Sequence, residues 1–134
     1  MSELSLFRLY LLRAIYLLIA IGEGLNIWPL LFNHRPWGDP MHGVAVALLA
    51  ALTLLCWLGL RYPVRMLPLL VFEMAWKWIW MLAFGWPAKM AGPMTPAMSE
   101  NFFAIGLGVV LMPLILPWPY LWRTFVAGSG DRWR

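Results

Sequence analysis

The sequence predicts an all-α integral membrane protein: a four-helix bundle that crosses the bilayer four times, with both termini cytoplasmic. Three observations lead there. Of the 134 residues, 63% are hydrophobic and 12% charged, with a mean hydropathy of +0.74. A soluble domain carries about 25% charged residues, so too little polar surface is present to coat a water-exposed globule, and a disordered chain is excluded as well. Four stretches approach the roughly 20 apolar residues that a spanning helix needs: Ala14 to Phe32, Gly43 to Leu60, Met66 to Trp86 and Phe102 to Trp122. Third, Arg8, Arg13, Arg61, Arg65, Arg123, Arg132 and Arg134 fall at the two ends and in the Arg61 to Arg65 turn, against Arg35 and Lys89 in the other two connections. Those seven share one side only if there are four spans, so the positive-inside bias and the span count support each other.

The first span is expected to begin near Leu4, because Arg8 and Arg13 can snorkel from its first turns. Its apolar stretch is longer than the about 7–15 residues of a signal peptide. It also holds Glu23 and Asn26 and is followed by no small-x-small cleavage site, so it reads as retained. The connections are rich in breakers: NHRPWGDPMH (Asn33 to His42), RYPVR (Arg61 to Arg65) and PAKMAGPMTPAMSEN (Pro87 to Asn101). Trp28, Trp37 and Trp86 fall at the outer boundary, and Tyr10, Trp57, Tyr62, Trp118, Tyr120 and Trp122 at the inner one, as interfacial aromatic belts do. Small residues four apart predict close helix packing: Gly43, Ala47 and Ala51 on the second span, Ala104 and Gly108 on the fourth. Pro113 and Pro117 weaken the inner half of the fourth span. The tail GSGDRWR is polar. Residues 1–134 form one domain.

The net charge of +4 belongs to this topological bias. No basic run is interleaved with exposed polar helix, so nucleic acid is not an expected partner. The single cysteine, Cys56, lies in an apolar run and reads as a small buried hydrophobe.

Three charges fall within the hydrocarbon core. At 1.5 Å rise per residue, Glu23 lies about 15 Å above Arg13, and Glu73 and Lys77 about 12 and 18 Å above Arg65. All three are therefore near the midplane of a core about 30 Å thick. A charge there costs at least about 2.5–3.5 kcal/mol, so such groups face the bundle interior and find partners. Glu73 precedes Lys77 by four residues, the favourable order for a helical ion pair, and Asn26 shares the face of Glu23. The third span thus presents Glu73, Trp76, Lys77, Trp80 and Phe84 as one stripe, opposite Tyr16, Glu23 and Asn26 on the first. Two carboxylates sharing one ammonium leave one carboxylate able to exchange a proton. Trp76 and Trp80 are placed to line a pocket for a flat apolar or cationic ligand, while Trp78 faces lipid or another subunit.

No mid-span histidine exists for haem or chlorophyll ligation; His34 and His42 lie in or beside the first outer connection. Met90, Met94 and Met98 are evenly spaced, with Met41 beside His42, and thioethers suit Cu(I). Pro93 and Pro96 break the helix that would align them, so no metal and no cofactor is expected. No nucleophile elbow, phosphate-cradling loop or cysteine pair is present, and no catalytic residue is assigned.

The stretch LRYPVRMLPLLVFEMAWKWIW (Leu60 to Trp80), with LPWPYLW near the end, resembles a group of small uncharacterised bacterial four-span inner-membrane proteins. The resemblance covers about one sixth of the chain and implies a multi-pass protein of the bacterial inner membrane. In size and topology alone the chain is similar to DoxX-like proteins. Four spans and a first-span glutamate also resemble the small multidrug resistance exporters. Lys77, which would compete with a cationic drug for the glutamate, and the longer, proline-rich connections depart from that pattern.

The expected function is binding or moving a small amphipathic or lipid-like molecule at a mid-membrane polar pocket, with proton exchange at the surplus carboxylate. Its residues are Tyr16, Glu23, Asn26, Glu73, Trp76, Lys77 and Trp80. The expected partners are membrane lipids, that ligand, and further copies or subunits in a homo-oligomer or larger membrane complex. The alternatives are an accessory subunit whose Glu-Lys clasp is structural, and an isomerase acting in the lipid phase.

Overall fold

The computed structural model describes residues 4–32 and 40–133. Among the described residues, four helices are long and apolar enough to cross a bilayer: α1 (Leu6–Phe32), α2 (Pro40–Arg61), α3 (Leu67–Ala91) and α4 (Pro96–Ile115). A short α5 covers 118–126, and no strand occurs among the described residues. The expected outer connection, with His34, Arg35 and Trp37, lies mostly outside the described residues, as does Arg134.

Side chains set two of the helix starts. Ser5 accepts a hydrogen bond from the Arg8 backbone N–H at 3.1 Å, and Thr95 does the same for Met98 at 3.2 Å. Both are N-caps, and Pro96 follows the second in the first turn, where its missing N–H costs nothing. The expected Pro87 to Asn101 loop is therefore shorter in the structure: α3 runs on to Ala91, and only 92–95 turn. Gly92, at φ 136°, occupies backbone space that other residues rarely enter.

The fourth span differs from expectation at its inner end. Helix α4 stops at Ile115, Leu116 is extended (φ −62°, ψ 137°), and helix resumes at Trp118. Pro117 disfavours helical geometry in the residue before it, so the weakening expected from the prolines is a full break. Trp118 caps the damage by donating its indole N–H to the Pro113 carbonyl at 2.7 Å.

Helices α1 and α3 each contain a π-helical turn, at Ile19–Glu23 and Met81–Gly85. Such a turn takes up an extra residue and rotates everything beyond it by roughly 100° at 3.6 residues per turn.

The chain packs as neighbours in sequence: α1 along α2, α3 along α4, and α2 more sparsely against α3. Helices α1 and α4 do not close the ring with comparable contact along their length. They are tied at the end that carries the termini, where Arg8 donates to the Ile115 carbonyl at 2.6 Å. That half of the bundle holds the core, including Leu12, Tyr16, Cys56, Leu67, Leu70 and Met112. The face of α2 that packs is Val46, Ala50, Thr53, Cys56 and Gly59, not the small-residue stripe. Ala47 and Ala51 are exposed, and a Cβ on Gly43 would meet nothing within 4 Å. Thr53 accepts from the Trp28 indole at 2.9 Å, so Trp28 is drawn inward between α1 and α2.

Candidate functional site

The site grows from the spacing on α3. Four residues apart, Glu73 and Lys77 meet on one face, with Nζ 2.9 Å from Oε1. Glu23 reaches the same ammonium from α1, with Oε1 3.7 Å away. The Glu73 side chain is fully buried, and those of Lys77 and Glu23 are 11% and 22% exposed. The ammonium also lies 5.6 Å from the centroid of the Trp76 ring. One lysine thus links two spans through two carboxylates at mid-depth.

Helix α4 supplies the remaining wall. A Cβ on Gly108 would fall 2.5 Å from Lys77 Cδ and 2.7 Å from Nζ. Glycine leaves the space through which the lysine side chain passes, which gives this member of the expected Ala104 and Gly108 pair a specific task.

Where α1 and α4 fail to close, a half-open cleft of about 220 Å³ reaches this cluster. Gly22, Glu23 and Asn26 line it from α1, Lys77 from α3, and Leu107 and Gly108 from α4. Its surface is largely apolar, with the charged groups at one place. Glu23 is the last residue of the π-helical turn in α1, a local irregularity common at functional sites.

The polar groups of the cluster are incompletely satisfied. Glu23 Oε2, both oxygens of Glu73 and the indole N–H of Trp76 are buried without a hydrogen-bond partner. Glu73 Oε1 is close to the ammonium, but not along a hydrogen-bonding direction. Buried polar atoms are normally paired. Here two carboxylates share one cation, so the cluster as a whole seeks donors.

The seven expected residues do not all meet. Glu23, Asn26 and Lys77 line the cleft, and Glu73 stands behind Lys77. The Asn26 amide donates to the Gly22 carbonyl at 3.1 Å. Trp76, Trp80 and Tyr16 line no part of the cleft. Tyr16 is turned to α2, where its ring packs on Gly59 and its hydroxyl donates to the Pro63 carbonyl at 2.9 Å. The π-helical turn between Tyr16 and Glu23 separates two faces that an unbroken helix would superimpose. The turn at Met81–Gly85 likewise takes Phe84 off the α3 stripe, leaving it 61% exposed. Trp80 packs over Gly85, and Trp78 is exposed as expected.

Gly22 and Leu107 are among the cleft residues that pattern reading did not single out, while Gly108 was expected only as a packing residue. For Gly22 and Leu107 the sequence carries no signal, because an apolar residue facing a cleft looks like one facing lipid. Met90, Met94 and Met98 are spread over α3, the turn and α4. Among the described residues no group of three histidine, cysteine or acidic side chains is placed to hold a metal ion. No protein-family model, curated protein or solved structure matches this chain.

Proposed function

We propose that the protein binds or moves a small amphipathic, lipid-like molecule whose polar head enters between α1 and α4 and meets Glu23 and Lys77. The observation that carries this reading is Glu23 Oε2, a buried acceptor without a hydrogen-bond partner beside a cleft reaching the bundle's charged cluster. Intramembrane ionisable groups mark substrate and proton paths. The complementary head donates hydrogen bonds, as a hydroxyl or an amine does; an anionic head would face two carboxylates. Proton exchange at the carboxylate that Lys77 does not neutralise would couple such binding to protonation. The same reading places the chain in a bacterial inner membrane with its termini in the cytoplasm, following the arginine bias.

Native mass spectrometry of protein extracted in a mild detergent tests this. A Cβ on either Gly22 or Gly43 meets nothing within 4 Å, but only Gly22 lines the cleft. The parent and Gly43→Leu should carry a co-purifying amphipath that Gly22→Leu has lost. Equal retention by all three would overturn the proposal.

One observation favours a second reading, an accessory subunit with a structural clasp. Glu73 is fully buried and lines no part of the cleft, as a charge that only fixes Lys77 would be.

A further inference from the structure

Far from the mid-depth cluster, a second concavity, largely apolar but with two arginines in its wall, lies where α1 passes the turn between α2 and α3. It has a volume of about 290 Å³ and is lined by Leu9, Arg13, Tyr62, Pro63, Val64 and Arg65. Arg61 and Arg65 place their guanidinium carbons 5.6 and 5.5 Å from the centroid of the same Tyr62 ring. Arg13 lies 5.8 Å from the Tyr10 ring. It is fixed from behind, because its Nε donates to the Leu60 carbonyl at 2.8 Å, and that bond leaves its two terminal nitrogens available.

Three guanidinium groups therefore gather at one end of the bundle, two of them about a single ring. Among the described residues no carboxylate pairs with them; the ion pairs of Glu23 and Glu73 are with Lys77. Like charges held together in this way favour an anion. The planar, forked guanidinium suits a phosphate in particular, which it can grip with two parallel hydrogen bonds. The position selects the source. Arg61 is the last residue of the spanning helix α2, so the cluster sits at the level of the lipid headgroups. Tyr10 and Tyr62 are interfacial aromatics, while Leu9, Pro63 and Val64 add apolar wall.

We infer that Arg13, Arg65 and Tyr62, which line the concavity, with Arg61 against the same Tyr62 ring, form a binding site for the phosphate headgroup of an anionic phospholipid, at the membrane surface beside the α2–α3 turn. The site is independent of the mid-depth cleft and of any ligand there.

The test uses the full chain in nanodiscs of phosphatidylcholine doped with phosphatidylglycerol, with retained lipid counted by native mass spectrometry. Attraction of anionic lipid by one surface arginine corresponds to about fivefold in affinity. The parent should retain phosphatidylglycerol over phosphatidylcholine. Arg65→Gln, at an exposed turn position, should lose about fivefold, and the pair Arg61→Gln, Arg65→Gln about 25-fold by the same arithmetic. Arg132→Gln, in the exposed tail, should retain the parent's preference. Arg65→Lys, which keeps the charge and loses the fork, should fall between parent and Arg65→Gln. Equal retention of the two lipids by the parent would overturn the site, as would an equal loss in Arg132→Gln. Displacement of the bound lipid by millimolar inorganic phosphate would overturn its assignment to a lipid.

Discussion

Gly108 on α4 is the seat of Lys77: any side chain at that position would occupy the space of the lysine's Cδ and Nζ. The ammonium is consequently held between Glu23 and Glu73 by a missing methyl group on a third helix. Gly108→Ala should therefore destabilise the bundle, by about 1–3 kcal/mol for an overpacked core, less up to about 1 kcal/mol for alanine's better helix propensity. Gly106→Ala is the matched comparison. Its Cβ would meet only Met81 Cε, at 3.7 Å, so the propensity gain should stand alone and stability should hold or rise. Denaturant titration in detergent micelles reads both. A Gly108→Ala protein as stable as Gly106→Ala would mean that Lys77 does not depend on this seat.

A second glycine and aromatic pair joins α1 to α2. A Cβ on Gly59 would overlap the Tyr16 ring, while the Tyr16 hydroxyl reaches Pro63. Gly59→Ala should cost about 1–3 kcal/mol by forcing the helices apart. Tyr16→Phe should cost about 0.5–1.5 kcal/mol for the lost hydrogen bond. The two sites touch, so their effects should be coupled: in a Tyr16→Ala background, Gly59→Ala should cost far less. Strict additivity in that double-mutant cycle would contradict the packing described.

These pairs show where the sequence was readable and where it was not. The four spans followed from hydropathy and arginine placement, because the cost of burying charge and backbone in lipid is large and local. The Glu73 and Lys77 pair followed from spacing within one helix. Facing was harder, since lipid and core are both apolar. On α2 the small stripe Gly43, Ala47 and Ala51 points outward, while Ala50, Thr53 and Gly59 pack. Tyr16 and Phe84 were assigned to the wrong faces for a different reason: a π-helical turn intervenes in each case, and no residue pattern announced it. The cleft itself arises from the loose apposition of α1 and α4, a tertiary relation between segments far apart in sequence.

Orientation is a separate question. Seven basic residues at the ends and in the α2–α3 turn, against two in the other connections, predict cytoplasmic termini by the positive-inside rule. A reporter fused after the last residue should be active only if it functions inside the cell, and one fused in the 92–95 turn only outside. The reverse pattern would invert the topology and move the Arg13, Arg61 and Arg65 cluster to the outer leaflet.

The mid-depth charges allow the sharpest test. Removing one member of a buried ion pair strands its partner and costs roughly 3–5 kcal/mol, whereas replacing every member can be neutral. Lys77→Met alone leaves Glu23 and Glu73 without their cation and should sharply reduce stability. The triple change Glu23→Gln, Glu73→Gln, Lys77→Met removes all three charges, retains the carboxamides as hydrogen-bonding groups and should regain stable insertion. Recovery of the fold separates the two functional readings, because the triple variant is then a folded protein without the charged site. If the cluster serves a ligand, the co-purifying amphipath should be missing from the triple variant while denaturant titration shows parental stability. If the cluster is only a clasp, ligand retention and every cellular phenotype should match the parent. We expect the loss, since Glu23 Oε2 lies buried beside the cleft without a hydrogen-bond partner, and a clasp that only joined helices would have no use for an acceptor there. A stable triple variant that retains the amphipath would refute the proposed site at Glu23 and Lys77.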